Sequence, residues 1–385
     1  MMKVDLYHNI RWSRYKARIF SALHPLAASE GVDIRFTHIS DTSGSRVALS
    51  GVDIDYHQYP HELLFPGNYE EIGQIRLAST LVRRVVASDA KLVLIPGYDK
   101  LEHWAMLLAA VFTGKQRGVF CDSTLLDRPQ SAWKGVLKRV FFSACNGYFG
   151  YGRRSEDLLV HYGAPKNRVF QPCQAAALPD GYSEDNARRM RLRQPPRAEA
   201  PIFLFVGRLA PEKSLDVLFK SFRQVLDTLP AARLLLVGSG PQAKDLKELA
   251  IDLGLGASIE FVGSMDQLAL AQYYARATCL VLPSRSEPWG LVVNEALHYG
   301  CPVIVSDRCG CAPELVVNGI TGYVFETGNP NDLSDKLLKL AATFSDQALV
   351  ADRCLKHIGR YTPEAAAMKI LYGCKTILSA AGPSA

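Results

Sequence analysis

One pattern runs twice through this chain, and it constrains the fold more than anything else in the sequence. Short apolar runs bounded by turn residues alternate with amphipathic stretches of helical length, first from Lys3 to about Tyr162 and again from Ile202. Strands separated by helices imply crossover connections, so the expected class is α/β with parallel sheets. In the first half, Lys3–Tyr7, Asp33–Ile39, Leu92–Pro96, Gly118–Cys121 and Tyr148–Tyr151 read as strands, with helices near 15–28, 69–87, 100–111, 132–144 and 155–162. In the second, strands are expected at 202–206, 233–237, 258–262, 279–282 and 302–306, and helices near 214–229, 242–253, 266–277, 291–299, 331–342 and 363–378. Between the halves the alternation stops in a stretch rich in proline and arginine, which reads as a linker. The expected organisation is therefore an α/β domain over 1–172, a linker over 173–200 and a second α/β domain over 201–360.

Composition removes several other classes. With 48% hydrophobic and 21% charged residues the chain has the means to bury a core, which excludes disorder as its main state. The longest unbroken apolar run, Ala105–Phe112, is too short to cross a bilayer. The opening MMKVDLYHNI has Asp and His where a secretory signal carries its apolar core, so a cytoplasmic location is expected. The nine cysteines are scattered, odd in number and form no CxxC pair, which reads as structural thiols in a reducing compartment. Cys309 and Cys311 lack the second pair a zinc site needs.

The net charge of +6 is unevenly spread. Residues 1–200 carry 27 Lys and Arg against 20 Asp and Glu, whereas 201–385 carry 17 against 18. The basic excess of the first half suits an anionic surface or a phosphorylated partner. No nucleic-acid motif accompanies it, so nucleic acid is not an expected partner.

Two constellations in the second half carry chemistry. Gly238-Ser239-Gly240-Pro241-Gln242-Ala243 follows a strand, opens a helix and fits the outline of a dinucleotide fingerprint, with Glu260 further on. It lies on the second strand of its domain rather than the first, and Pro241 suits a helix start, so a tight strand-to-helix turn competes with an NAD(P)-dependent oxidoreductase or epimerase. The stronger constellation begins at Gly207-Arg208-Leu209-Ala210-Pro211-Glu212-Lys213 and resumes at Ser286-Glu287-Pro288-Trp289-Gly290-Leu291-Val292-Val293-Asn294-Glu295. Arg208 offers a bidentate fork, Lys213 a point charge and the helix after Gly290 its positive end, a combination suited to a diphosphate leaving group. Gly290 allows close backbone approach, and the N–H groups at Leu291 and Val292 lie in the first turn. Carboxylates bind vicinal hydroxyls, so Glu295 suits a ribose and Glu287 a transferred sugar. These cations supply a positive field without a metal, and no acidic pair of the DxD kind stands at a strand end.

At these residues the chain resembles glycosyltransferase family 4, through GRL-x-x-EK, SEPWGLVVNEALHYGCPVIVSD and PELVVNGITGYVFE, covering residues 201 to about 340. The resemblance implies a retaining enzyme of the GT-B fold, with two Rossmann-like domains facing across a cleft. It implies a UDP- or GDP-sugar donor, no cofactor or metal, and a glycan or lipid-linked acceptor, as in bacterial polysaccharide synthesis. Arg208 and Lys213 would hold the diphosphate, Glu287 the donor sugar, Glu295 the ribose and the backbone at 290–292 phosphate, with Gly207, Gly238 and Gly263 lining the donor site. It also implies that the helix at 363–378 crosses back onto the first domain. A non-catalytic relative is the competing reading, opposed by the intact Arg208, Lys213, Glu287 and Glu295.

The first half departs from that family. Where a glycine-rich loop is common, this chain has His8-Asn9-Ile10-Arg11-Trp12-Ser13-Arg14-Tyr15-Lys16. Asp122, at the end of the strand closing on Cys121, is the acceptor-side candidate, although Asp before Ser-Thr is equally a turn or cap residue. His8 and His103 are further candidates. The helix near 132–145 is read with Trp133, Val136, Leu137, Val140 and Phe141 on one face and Phe142 among Lys134, Lys138 and Arg139 on the other. A second basic-aromatic cluster spans Arg11, Trp12, Arg14, Lys16 and Arg18. These suggest peripheral contact with an anionic membrane, against an ordinary core-facing helix with a solvated back.

Overall fold

A computed structural model describes residues 2–44, 52–127, 131–195 and 200–380. The chain divides into two units. The first takes the chain up to Ala177 and returns from Tyr361, and the second is essentially Leu178–Arg360.

The first unit is built from β1 (Met2–Ile10), α1 (Arg14–Ser29), β2 (Val32–Thr42), β3 (His61–Asn68), α2 (Gln74–Ala87), β4 (Leu92–Ile95), α3 (Leu101–Phe112), β5 (Gln116–Cys121), α4 (Ala132–Ser143), β6 (Gly147–Gly150), α5 (Arg153–His161) and β7 (Val169–Phe170). Its seven strands run parallel in the order β3-β2-β1-β4-β5-β6-β7. Successive residues of β4 enter opposite cores, Leu92 and Leu94 with Val4 and Phe20, Val93 and Ile95 with Met106 and Phe141. A strand covered on both faces must be apolar throughout, which is why LVLI is legible as a strand.

The second unit contains α6 (Glu184–Leu192), β8 (Ile202–Val206), α7 (Leu215–Thr228), β9 (Arg233–Val237), α8 (Ala243–Asp252), β10 (Ile259–Gly263), α9 (Gln267–Arg276), β11 (Cys279–Leu282), α10 (Leu291–His298), β12 (Val303–Ser306), α11 (Ala312–Leu315), β13 (Gly322–Phe325), α12 (Pro330–Thr343) and α13 (Gln347–Ile358). Its parallel sheet has the order β10-β9-β8-β11-β12-β13. Strand order reverses between β8 and β11, so the loops after these two strands diverge and leave room for a ligand.

The final helix, α14 (Pro363–Ser379), belongs to the first unit as expected. Ile370, Cys374 and Ile377 join Leu6 and Phe20 in its core. The approach requires two glycines: a Cβ on Gly147 would sit 2.5 Å from Ile377, and one on Gly373 would sit 2.5 Å from Phe149.

Three expectations need correction. The stretch read as a linker holds α6, capped by Ser183 and joined to the second unit. Two of its arginines are held by the second unit. Arg191 is buried and donates to the Ala277 carbonyl at 2.9 Å, just past the end of α9, while Arg188 pairs with Asp352. Carbonyls at a helix end have no partner within the helix, and a guanidinium satisfies them.

The reading of α4 holds for Phe141, Lys134 and Arg139 but not for Phe142 or the aliphatic stripe. Phe142 is fully buried with Phe141, edge-on to Tyr98 at 4.9 Å, whereas Trp133 is 63% exposed and Val136, Leu137 and Val140 lie outward with it. Gly135 packs against Tyr162, and that close approach together with two adjacent phenyl rings selects the buried face over the aliphatic stripe.

The cluster around Arg11 is not a lipid-facing surface. Arg11 pairs with Asp41, Arg14 with Asp53, Arg18 lies over Tyr56, and Lys16 is 2% exposed. No helix among the described residues is long and apolar enough to cross a membrane. All nine cysteines are buried and unpaired by disulfides, consistent with structural thiols.

Candidate functional site

The second unit brings most of the sequence-derived site residues to the loops after β8 and β11. β8 ends at Val206, and the chain then runs through Gly207 and Arg208 into a 3-10 turn at Pro211–Lys213. Ser214 adopts φ +50°, the only positive φ at a non-glycine among the described residues, and turns the chain into α7. Arg208 is half exposed and forms an ion pair with Glu212. Lys213 points across to the β11 loop and forms an ion pair with Glu287, each side chain only about 15% exposed. Backbone bonds fix that meeting: Arg285 N–H donates to the Glu212 carbonyl at 2.9 Å, and Gly310 N–H donates to the Glu287 carbonyl at 2.8 Å.

The start of α10 is shaped by what its neighbours lack. Gly290 is the N-cap residue at φ +102°, and a Cβ there would lie 2.9 Å from Leu282. Trp289 is buried and donates its indole N–H to Asn294 at 2.8 Å, which pins the loop to the helix it precedes. Leu291 and Val292 follow in the first turn, where backbone N–H groups and the helix dipole favour an anion.

Glu295 lies one turn into α10 and accepts a hydrogen bond from the Tyr274 hydroxyl at 2.8 Å. Burial raises its pKa from an ordinary 4.5 to about 7, with the Tyr274 bond pulling the other way. A carboxyl raised on folding makes the folded state hold its proton more tightly. Its stability contribution is therefore present at low pH and is lost as pH rises from 4.5 towards 7. Glu295→Gln keeps an acceptor for Tyr274 and removes that loss. Urea unfolding should find it more stable than wild type at pH 8, by up to about 3 kcal/mol, and little changed at pH 4.5.

The glycines of the fingerprint-like turn have a packing explanation. A Cβ on Gly238 would stand 1.9 Å from the Gly207 carbonyl oxygen, and one on Gly240 would stand 2.3 Å from that of Leu209. Leu209 N–H donates to Ser239 O at 2.9 Å and Gln242 N–H to Leu209 O at 3.0 Å, so the turn is bonded to the Arg208 loop. Gly263, at φ +87°, ends β10 with open space around it, and its carbonyl accepts from Gly238 N–H at 2.8 Å.

Sequence reasoning assigned no role to Glu212 as the partner of Arg208 or to Tyr274 as the partner of Glu295. Glu212 stood inside the motif. Tyr274 sits on α9, and no local spacing connects it to α10.

Asp122 lies in the first unit, just after β5, and is not part of this group. Desolvation, reinforced by Asp99, raises its pKa, and Lys16 opposes the shift. His103 is buried with its Nε2 3.3 Å from Asn9 Oδ1, and His8 Nδ1 lies 2.9 Å from the Ile10 carbonyl. Among the described residues no cluster of three or more His, Cys, Asp or Glu side chains could hold a metal ion.

Two parallel, Rossmann-like α/β units define the GT-B fold. It is shared with the lipopolysaccharide outer core galactosyltransferase WaaB, at 13% identity and a TM-score of 0.73 over 98% of this chain and 99% of that one. Anabaena HepE in complex with UDP matches at 17% identity and a TM-score of 0.71, over 98% of this chain and 100% of that one.

Residues 188–345 match the model of the Glycosyl transferases group 1 family, a span holding every site residue described in the second unit. Among curated relatives, sulfoquinovosyl transferase SQD2 of Arabidopsis thaliana is 34% identical over 45% of this chain and 32% of its own length. D-inositol 3-phosphate glycosyltransferase of Streptomyces bingchenggensis is 34% identical over 56% of this chain and 50% of its own. The chain thus spans about a third to a half of these relatives' own length.

Proposed function

We propose that this chain is a retaining glycosyltransferase that moves a sugar from a UDP- or GDP-linked donor to a hydroxyl of a glycan or lipid-linked acceptor, without a metal ion. The observation that carries this reading is the meeting of Lys213 and Glu287 at a topological switch point, beside the Gly290-led start of α10. Each cation already has a carboxylate partner. A diphosphate entering the site takes Lys213 from Glu287 and Arg208 from Glu212, and the freed Glu287 turns to hydroxyls of the sugar. Glu287 then trades its ion pair for hydrogen bonds donated by those hydroxyls.

The bond from the anomeric carbon to the diphosphate oxygen breaks as negative charge grows on the leaving group. Lys213, Arg208 and the α10 start stabilise that charge. An acceptor hydroxyl attacking from the same face gives its proton to a diphosphate oxygen, so configuration is retained without a separate base. The protein contributes positioning and a fixed positive field.

A thermal-shift and hydrolysis panel of UDP- and GDP-sugars, run with and without EDTA, tests this directly. One nucleoside series should raise the melting temperature and be hydrolysed equally with chelator present. Stabilisation by NAD(P) instead would favour the Gly238–Ala243 turn as a dinucleotide site. Nucleotide binding without any turnover would favour a binding protein.

The outward face of α4 fits an anionic membrane. Trp133, Val136, Leu137 and Val140 form a stripe at helical spacing, and Lys134 and Arg139 are exposed beside it. The chain should sediment with vesicles containing anionic lipid, and Trp133→Glu with Leu137→Glu should reduce the bound fraction about tenfold or more, since about 1 kcal/mol or more is lost per anchor. Wild-type protein that stays in the supernatant overturns this part of the reading.

A further inference from the structure

The first unit has a polar pocket that the donor site leaves unexplained. A cavity of about 150 Å³ lies at the carboxyl ends of β1, β4, β5 and β6, with Lys16, Asn9, Asp122 and Tyr151 in its lining. Strand order in this sheet reverses between β1 and β4, so the cavity opens at the switch point, where doubly wound sheets bind ligands.

Lys16 is the anomaly in it. It stands in the first turn of α1, the positive end of a sixteen-residue helix, yet the residue is 2% exposed. Its Nζ has no hydrogen-bond partner. What surrounds it is aromatic: the Tyr151 ring centroid at 4.7 Å, Phe120 at 5.1 Å and Tyr15 at 5.7 Å. Burial lowers its pKa to about 8, opposed by Cys173 and Asp122, so at neutral pH it is still mostly a cation. Ring faces compensate part of the lost hydration, but an ammonium buried without an acceptor remains costly. Such a cost persists where function requires it.

We infer that this pocket is an oxyanion-binding site in which Lys16 holds a phosphate, sulfate or carboxylate group of a reactant. The aromatic walls exclude water and strengthen the attraction, and the α1 dipole adds to it. The inference builds on the glycosyltransferase reading only in naming the group's source, which is either the donor diphosphate or an anionic acceptor.

The test is calorimetric titration of sulfate, which does not change charge between pH 6 and 9, into the full chain carrying Arg208→Ala and Lys213→Ala. Those changes remove the side-chain anion ligands of the second unit. Sulfate should still bind, about tenfold or more weakly once Lys16→Met is added, and nearly unchanged with Lys16→Arg. Lys16→Met should melt no lower than its parent, because it replaces an unpaired buried cation with an apolar chain of similar length.

In the chain that keeps Lys16, affinity should fall as pH rises through about 8. The titratable groups facing Lys16 are Asp122, Cys173, Tyr15, Tyr151 and His8. In the chain that keeps Arg208 and Lys213, loss of the Lys16-dependent sulfate binding in the presence of saturating UDP assigns the site to the donor diphosphate, and persistence assigns it to an anionic acceptor. Equal sulfate binding with and without Lys16→Met, or affinity flat across pH 7 to 9, overturns the inference. The donor panel is read separately, so a chain that ignores nucleotide sugars but binds sulfate through Lys16 would defeat the first reading and keep this one.

Discussion

Lys213→Ala is expected to lower kcat by about a hundredfold or more, the scale on which a lost transition-state charge contact is felt. Lys213 is held at the mouth of β8 by a turn of three residues and meets Glu287 in a largely desolvated contact, so its charge is fixed before a donor arrives. A preorganised charge does most where negative charge increases during the reaction. The loss should therefore appear in kcat more than in donor KM.

Stability should fall as well, because Glu287 is left as a partly buried carboxylate without its cation, at a cost of about 1–3 kcal/mol. Lys213→Arg should recover only part of the turnover, since the planar fork needs more room than a site where Lys213 is 16% exposed provides. Arg208 is 55% exposed and paired with a neighbour on its own turn, so Arg208→Ala should cost turnover on a similar scale with stability changed by no more than about 0.5 kcal/mol. Steady-state kinetics of donor turnover for the single variants decides the matter. Unchanged kcat in both Lys213→Ala and Arg208→Ala defeats the assignment of the leaving-group site.

That site was readable because its parts are local. Arg208 and Lys213 share one turn, Glu287 and Gly290 share another, and parallel α/β architecture sends both turns to the same edge of the sheet. What escaped the sequence depended on contacts between elements. Tyr274 reaches Glu295 from a helix two elements earlier, and no periodicity encodes that meeting. The strand β3, HELLFPGN, carries a Pro and a Gly because it pairs on one side only, and those residues mask an edge strand. The strand β13 is four residues long, and its Gly322 is fixed by the Val303 carbonyl, 1.7 Å from where a Cβ would stand.

The helix α4 shows the limit more sharply. Its aliphatic stripe reads as the core face, and the close approach of Gly135 to Tyr162 together with buried Phe141 and Phe142 sets that stripe outward. Lys16 was legible as a basic residue near a strand end, but not as a buried one, because the two nearest rings around it come from β5 and from the loop after β6.

Gly238→Ala is expected to lower the melting temperature of the second unit by about 10 °C or more, or to prevent its folding, since the overlap costs at least about 4 kcal/mol. The new Cβ would fall 1.9 Å from the Gly207 carbonyl oxygen, at φ +136°, and both contacting atoms belong to backbone. No rotamer relieves such an overlap. The two loops are also bonded at Gly207 N–H to Val237 O (2.9 Å) and Leu209 N–H to Ser239 O (2.9 Å), so relief requires moving the strand ends themselves.

Gly263→Ala is the control. Its φ of +87° disfavours alanine, but nothing lies within 4 Å, so only backbone strain of about 1–2 kcal/mol remains. Thermal melts without nucleotide separate the two readings of the turn. If Gly238 served a dinucleotide, its replacement would spare the empty fold and weaken only cofactor binding. If it serves packing, the melt collapses with no ligand present, and nucleotide affinity falls too, because the loop that yields to the new methyl carries Arg208 and Lys213. A Gly238→Ala melt within about 3 °C of wild type, less than about 1.5 kcal/mol, would return the turn to the dinucleotide reading.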